Sequence, residues 1–401
     1  MFMSDIIKPI VLDETLQATN HLLSHLNSAV DLLASDKRAE LVTDVASVAI
    51  LAKNGELLEV MDYGDGIHPE WVDGDTHYNP EMNLCHESDE LLEDGETIHG
   101  CFFEWDKTIP YGMPFSLAQA IFQSDTEELP AGTYYFTIQN DSWGGNNEKN
   151  IQFTLDQALP AGYQIRKSVG YDSLVTSGTL DIYSSGASLT KEYSVTPTEG
   201  NAGTFLGVSD GTGNINHWHR VAFGHNRWKT SNMRQFLNAT GEKGTWWTPQ
   251  EKWDVKPSQA DSTDGFLHGY AEEVYRYFKP IKVVTVTNNY EGNEDDVTYD
   301  RVFLSSLEQM YCVPQFAGKE GEYWEYYKRL LGRTSPAPTI ATYPRLIKYA
   351  LNSPTSAQYC FRRSAYRYNA GSVWSVNASG TVNANYAGNA SRCAPSVFIS
   401  D

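Results

Sequence analysis

Ser364-Ala-Tyr-Arg-Tyr-Asn-Ala-Gly-Ser-Val-Trp-Ser-Val-Asn-Ala-Ser-Gly-Thr-Val-Asn-Ala-Asn-Tyr-Ala-Gly-Asn-Ala-Ser391 differs in composition from the rest of the chain. Its 28 residues hold six Ala, five Ser, five Asn, three Gly and three Tyr. The other six are Arg367, Val373, Trp374, Val376, Thr381 and Val382. Tyr and Trp give large contact area at little rotamer cost, and Ser, Gly and Asn give adaptable hydrogen bonds, so the composition fits a binding surface. It also fits a Gly/Asn-rich β-turn region, which composition does not separate from the first reading. The charge changes here as well. From Tyr326 to Ser400 there is no Asp or Glu and there are nine Lys and Arg, whereas the whole chain carries −21.

The remaining composition bounds the answer. A chain of 401 residues implies two or three domains at about 150 residues each. With 41% hydrophobic and 20% charged residues it can bury real cores. Its 24 Tyr and 10 Trp favour β structure. The acidic body argues against general nucleic-acid binding. No run of 18 apolar residues occurs, so no helix is expected to span a membrane, and the first residues lack a secretory pattern. Five Cys without a CxxC pair fit a chain made in a reducing cytoplasm without a disulfide framework.

Along the chain, Leu22, Leu26, Ala29 and Leu33 form a short apolar seam that predicts an amphipathic or oligomerising helix. Asn54-Gly55 between Val45–Leu51 and Glu56–Val60 predicts a β-hairpin. The Asp/Glu/Gly-rich 62–97 stretch reads as a solvated acidic loop. From 98 to 199, short strands at 132–138, 151–155, 163–167, 178–183 and 191–195 are separated by turns, which predicts a sandwich or jelly roll. Further on, Ser231 to Asn238 predicts a helix capped by Ser231. A second helix is expected within 264–278, strands at 281–287 and 300–305, and an irregular proline-rich stretch at 333–354.

No GxGxxG, Walker sequence or HExxH occurs. His217-Trp-His219 with His225 is the best metal candidate but lacks a recognisable third and fourth ligand. Carboxylate runs such as Glu294-Asp-Asp296 read as a solvated loop.

The stretch Arg363 to Pro395 resembles the variable region of proteins diversified by diversity-generating retroelements, whose Asn-rich templates mutate at adenines. Val373, Trp374, Val376, Gly380, Val382 and Arg392-Cys-Ala-Pro395 match the constant framework of such regions. Asn226–Asn238, Trp246–Pro249, Gly265–Leu267, Asp300–Ser305 and Phe361–Ser364 resemble the scaffold found with gut phage structural proteins of this kind. The likeness extends to the 131–138 β module and covers about residues 100–401. Phe236 stands where a Trp is expected, and Cys360-Phe361 where a Trp-Leu pair is expected. His219 matches a position of that scaffold; His217 and His225 do not.

This resemblance implies a C-type-lectin fold related to formylglycine-generating enzyme. The fold expected is therefore α+β and mostly β: an N-terminal helical and hairpin attachment region (1–97), a β-sandwich module (98–199) and a C-type-lectin-fold domain (200–401) with a variable segment at 364–391. Ligand contacts are expected at Tyr366, Tyr368, Asn369, Gly371, Ser372, Trp374, Ser375, Asn377, Thr381, Asn383, Ala384, Asn385, Tyr386, Gly388, Asn389 and Ser391. The function implied is that of a phage virion receptor-binding, tail-fibre-like protein, assembled in the bacterial host cytoplasm. Its expected partners are a host-cell surface receptor (protein or glycan) and other virion proteins. A homotrimer is expected, with no metal, cofactor, nucleic acid, membrane insertion or enzymatic activity. The alternatives are a head or decoration protein that adheres weakly to cells or mucus, and an enzyme on the formylglycine-generating scaffold.

Overall fold

A computed structural model describes residues 44–117, 120–123, 127–138, 149–167, 175–184, 190–209, 225–250, 254–288, 292–316, 318–368 and 371–401. The seam at Leu22, Leu26, Ala29 and Leu33 lies outside them, as do His217 and His219. The fold is α+β and mostly β.

Both ends of the described chain build one core. Strand Thr97–Trp105 sits at the centre of a five-stranded antiparallel sheet in which Met82–Leu91 pairs with one of its edges and Ser396–Ile399 with the other. Gly66–Ile67 and Val302–Phe303 complete this sheet. A second five-stranded sheet runs in the order Val382–Tyr386, Ser372–Val376, Cys360–Ala365, Ala390–Cys393, Met113–Pro114. Within it, Cys360–Ala365 and Ala390–Cys393 are parallel. Trp71, Trp105, Phe266, Trp324 and Trp374 are buried in the same hydrophobic core as Val45 and Ile399. Residues distant in sequence therefore share one interior, and the expected boundary at 98 falls inside a central strand.

A separate core lies in the inserted module. One four-stranded sheet runs Lys191–Val195, Leu180–Tyr183, Gln164–Lys167, Ala120–Gln123. The other runs Thr198–Glu199, Lys149–Leu155, Gly132–Ile138, Thr204–Ser209. Phe136, Ile151 and Phe153 from one sheet share a core with Ile165, Leu180 and Ile182 from the other, which is the sandwich expected of alternating short strands. Thr204–Ser209 pairs parallel to Gly132–Ile138, so the module extends past the expected boundary at 200.

Three local expectations are corrected. The 45–60 hairpin is a helix, Val45–Lys53. Asp44 caps it by accepting from Ser47 N, and Val45, Val48, Ala49 and Ala52 at helical spacing are buried. Gly55 follows the helix with φ +73°, so Asn54-Gly55 ends a helix here rather than turning a hairpin. The acidic 62–97 stretch contains the whole of strand Met82–Leu91, whose first four residues are buried and whose pairing shifts at a bulge between Leu84 and His86. Glu294–Asp296 runs into strand Asp295–Asp300: Asp296 is buried and paired with Arg227, and Asp295 with Lys319.

Elsewhere the expected elements form. Ser231 caps helix Asn232–Leu237 by accepting from Arg234 N. Ile281–Val286 is a strand paired with Asp295–Asp300. Phe236 fills the expected Trp position by packing against Trp246, Phe266 and Tyr111 in the core. Residues 264–278 form a 3-10 turn, Phe266–Gly269, and a single helical turn, Glu272–Tyr275. Among the described residues no helix is long and apolar enough to cross a membrane.

Candidate ligand-binding surface

The Asn/Ser/Tyr-rich segment occupies one end of the second sheet. Val382–Tyr386 is its edge strand and Ser372–Val376 lies next inward, in the register Ser372↔Tyr386, Trp374↔Ala384 and Val376↔Val382. An inner strand is covered on both faces, and all five residues of Ser372–Val376 are buried. Along the edge strand Val382 is buried, while Asn383, Ala384, Asn385 and Tyr386 are half-buried.

Buried polar groups fix this sheet to the core. Arg362 and Lys348 flank the fully buried Glu104 at 3.3 and 3.1 Å, and Ser305, Ser396 and Tyr327 donate hydrogen bonds to the same carboxylate. Burial pushes the Glu104 pKa up, but the charges of Lys348 and Arg362 together outweigh it and hold the carboxyl down at about 2. Arg363 points the other way and donates to Leu304 O, the Gln309 side chain and Glu320 O. Three of the nine cations in the acid-free tail are thus interior, and its outer face is less basic than its sequence.

Asn226, also buried, donates through Nδ2 to Ser372 O (2.8 Å) and Tyr366 O (3.1 Å), which ties these two residues together. Arg367 N donates to Gln315 Oε1, and its guanidinium lies over Phe316. The turn at 377–381 is closed by Asn377 Oδ1, which accepts from Ser379 N and Thr381 N. Asn385 Nδ2 donates to Ser391 Oγ, and Asn389 Nδ2 to Asn385 Oδ1.

The expected contact residues divide by burial. Tyr368 is 59% exposed and Asn389 is exposed, while Tyr366, Asn377, Thr381, Asn383, Ala384, Asn385, Tyr386 and Gly388 are half-buried. These residues share one edge of the sheet and its turns. Gly371, Ser372, Trp374, Ser375 and Ser391 are buried, so their side chains do not reach a ligand on this surface. The reason is position: Ser372, Trp374 and Ser375 sit on the inner strand, and Ser375 Oγ already donates to Asn383 O. Asn369 lies outside the described residues.

Sequence reasoning missed the segment that borders the edge strand. Ile340 N donates to Val382 O and Val382 N to Ala341 O, and the Thr342 and Thr381 hydroxyls meet at 2.8 Å. Ile340 is 65% exposed at φ +57°, an unfavourable conformation for a β-branched residue. It belongs to the stretch read as irregular, where no periodicity marks it.

No disulfide forms, and all five cysteines are free and buried. Burial raises every thiol, Cys312 to about 12. His225 is buried with Nε2 at 3.7 Å from Asp254 Oδ1. Among the described residues no group of three His, Cys, Asp or Glu is placed to hold a metal ion.

No curated protein and no solved structure matches the chain. A family model described as Domain of unknown function (DUF6273) matches residues 187–398, from the last strands of the sandwich to the C-terminal strand. That match covers more than half of the sequence, and the chain belongs to this family.

Proposed function

We propose that this protein is a receptor-binding component of a phage virion that presents the 366–389 edge of its C-terminal core to a host-cell ligand. One observation carries the reading: most framework positions of the segment are buried and most of its variable positions are accessible. Of the positions resembling a constant framework, Val373, Trp374, Val376, Gly380, Val382, Cys393, Ala394 and Pro395 are buried and Arg392 is half-buried. Of the positions where the resemblance expects variable codons, Tyr368, Thr381, Asn383, Ala384, Asn385, Tyr386, Gly388 and Asn389 line the accessible edge and turns, whereas Gly371, Ser372, Ser375 and Ser391 are buried. A surface that tolerates many substitutions needs this division, because changes at the edge leave the packed interior untouched.

The lack of carboxylates from 326 to 400 limits repulsion toward an anionic glycan or protein. An enzyme on the formylglycine-generating scaffold needs reactive thiols, and five buried, protonated thiols give that reading no support. Self-association, most simply into a trimer, would make weak single sites effective through avidity.

The test uses labelled full-length protein and a panel of gut bacterial isolates, scored by flow cytometry. Saturable binding to some isolates is expected, lost when Tyr368, Asn383, Asn385 and Tyr386 are together replaced by alanine. Binding that survives in the folded quadruple variant would move the ligand site elsewhere.

A further inference from the structure

The two five-stranded sheets end in four edge strands, and three of these have only two residues: Gly66–Ile67, Val302–Phe303 and Met113–Pro114. Edges this short, one of them with a proline, give another chain little to pair with. The fourth edge, Val382–Tyr386, has five residues. Its sequence, Val-Asn-Ala-Asn-Tyr, holds neither a charge nor a proline, the usual deterrents at an open edge.

The hydrogen bonds show which backbone groups of this strand face outward. Inward and outward groups alternate along a strand of an antiparallel pair. Thr381 O accepts from Asn377 N, and Ala387 N donates to Gly371 O, both toward the neighbouring strand Ser372–Val376. Val382 turns the other way, donating to Ala341 O and accepting from Ile340 N. Ala384 and Tyr386 therefore face outward with it, beyond the reach of the 340–341 segment.

Neither of these outward N–H groups is open. Asn383 Oδ1 accepts from Ala384 N at 2.8 Å, and Asn385 Oδ1 accepts from Tyr386 N at 3.0 Å. The Asn385 amide is itself held, donating to Ser391 Oγ and accepting from Asn389 Nδ2. Tyr386 O accepts from Asn389 N. Ala384 O has no donor among the described residues. Each asparagine thus covers the backbone donor that follows it, a local bond of the kind asparagine side chains favour.

We infer that Asn383 and Asn385 guard this edge: by occupying Ala384 N and Tyr386 N, they stop a second copy of the chain from adding its own Val382–Tyr386 strand alongside. A second copy fits because a two-fold axis would set Ala384 opposite its counterpart. Such a pair exchanges two N–H to O bonds. The acceptor, Ala384 O, is open in each copy, and the donor is what Asn383 withholds. The inference concerns the same edge as the receptor-binding reading but does not depend on it.

The test uses full-length protein and no cell or ligand, so its result bears on the edge alone. Asn383→Ala/Asn385→Ala is compared with the parent by hydrogen exchange in dilute solution and by light scattering over a concentration series. Exchange in the 382–388 segment should be about tenfold faster. The mass should rise with concentration above the parent's own state. Adding Ala384→Pro, which removes the freed donor, should return the mass to that of the parent. Asn383→Ala alone keeps the bonds of Asn385 to Ser391 and Asn389 and repeats the test at one donor, with melting curves establishing that each variant is folded. Unchanged exchange, a mass equal to the parent's at every concentration, or association that survives Ala384→Pro would overturn the proposal.

Discussion

The ring of Tyr366 meets the ring of Trp374 edge-on at 5.4 Å, and Tyr368 meets Tyr366 in turn at 5.9 Å. Three rings thus run from a fully buried indole to an exposed phenol. The ends of this row should behave differently on truncation. Trp374→Ala empties a core position and should cost about 3–5 kcal/mol. Tyr368→Ala removes only exposed surface and should change stability by less than about 0.5 kcal/mol. Urea unfolding of both variants measures the contrast. Equal losses would mean that Tyr368 is part of the packed core.

Glu104 joins the two ends of the chain through Lys348 and Arg362. Glu104→Gln keeps the shape but leaves two buried cations without their counter-charge, at a cost of about 3–5 kcal/mol. The same carboxylate makes a signed prediction for pH. Its folded pKa is held at about 2, below the ordinary 4.5, so its stabilisation is present in full above 4.5 and is lost as the pH falls toward 2. Acid unfolding curves should therefore steepen in that window for the parent chain and less for Glu104→Gln. Identical acid profiles would place the acid sensitivity elsewhere.

The sequence revealed local structure well and closure poorly. Gly132–Ile138 and Lys191–Val195 were readable to the residue because turn residues bound them and each carries β-favouring side chains. Helix Val45–Lys53 was misread because Asn-Gly after an apolar run serves a helix end as well as a hairpin. Strand Met82–Leu91 was hidden by its acids, which its half-exposed second half tolerates. Nothing local indicates that Ser396–Ile399 pairs with Thr97–Trp105 across nearly three hundred residues. At the candidate surface, residue type identified the segment. Which of its members are buried depends on strand order: Ser375 and Asn383 are of similar character and face each other in register, yet only the edge strand leaves its residue accessible.

His99 lies between Asp89 (2.7 Å) and Glu87 (3.1 Å). Burial works against its charge, but the two carboxylates outweigh burial and raise its pKa. A raised histidine stabilises the fold fully below its unfolded pKa of about 6.5, and that contribution is lost as pH rises through the folded value. NMR titration should place the His99 midpoint above the ordinary value, and His99→Gln should flatten the fall in stability as pH rises from about 6.5 through that midpoint. A midpoint at or below the ordinary value would contradict the geometry.

Backbone conformation around the edge strand gives two opposite expectations. Gly380 adopts φ +84°, and an added Cβ would stand 2.4 Å from Tyr343 O. Gly380→Ala should therefore lower stability by more than the about 1–2 kcal/mol of the left-handed conformation alone. Ile340→Asn should be neutral or stabilising, by up to about 1 kcal/mol, because Asn tolerates φ near +57° better than a β-branched residue. Melting curves of the two variants check both signs.

The division between a packed framework and a tolerant binding edge is tested most directly by deep sequencing of this locus from one bacterial population. The predicted result is substitution concentrated at the template-adenine positions of the codons for Tyr368, Thr381, Asn383, Ala384, Asn385, Tyr386 and Asn389, with Val373, Trp374, Val376, Val382 and Cys393 unchanged. Substitutions scattered without regard to burial, or a segment as invariant as its framework, would contradict it.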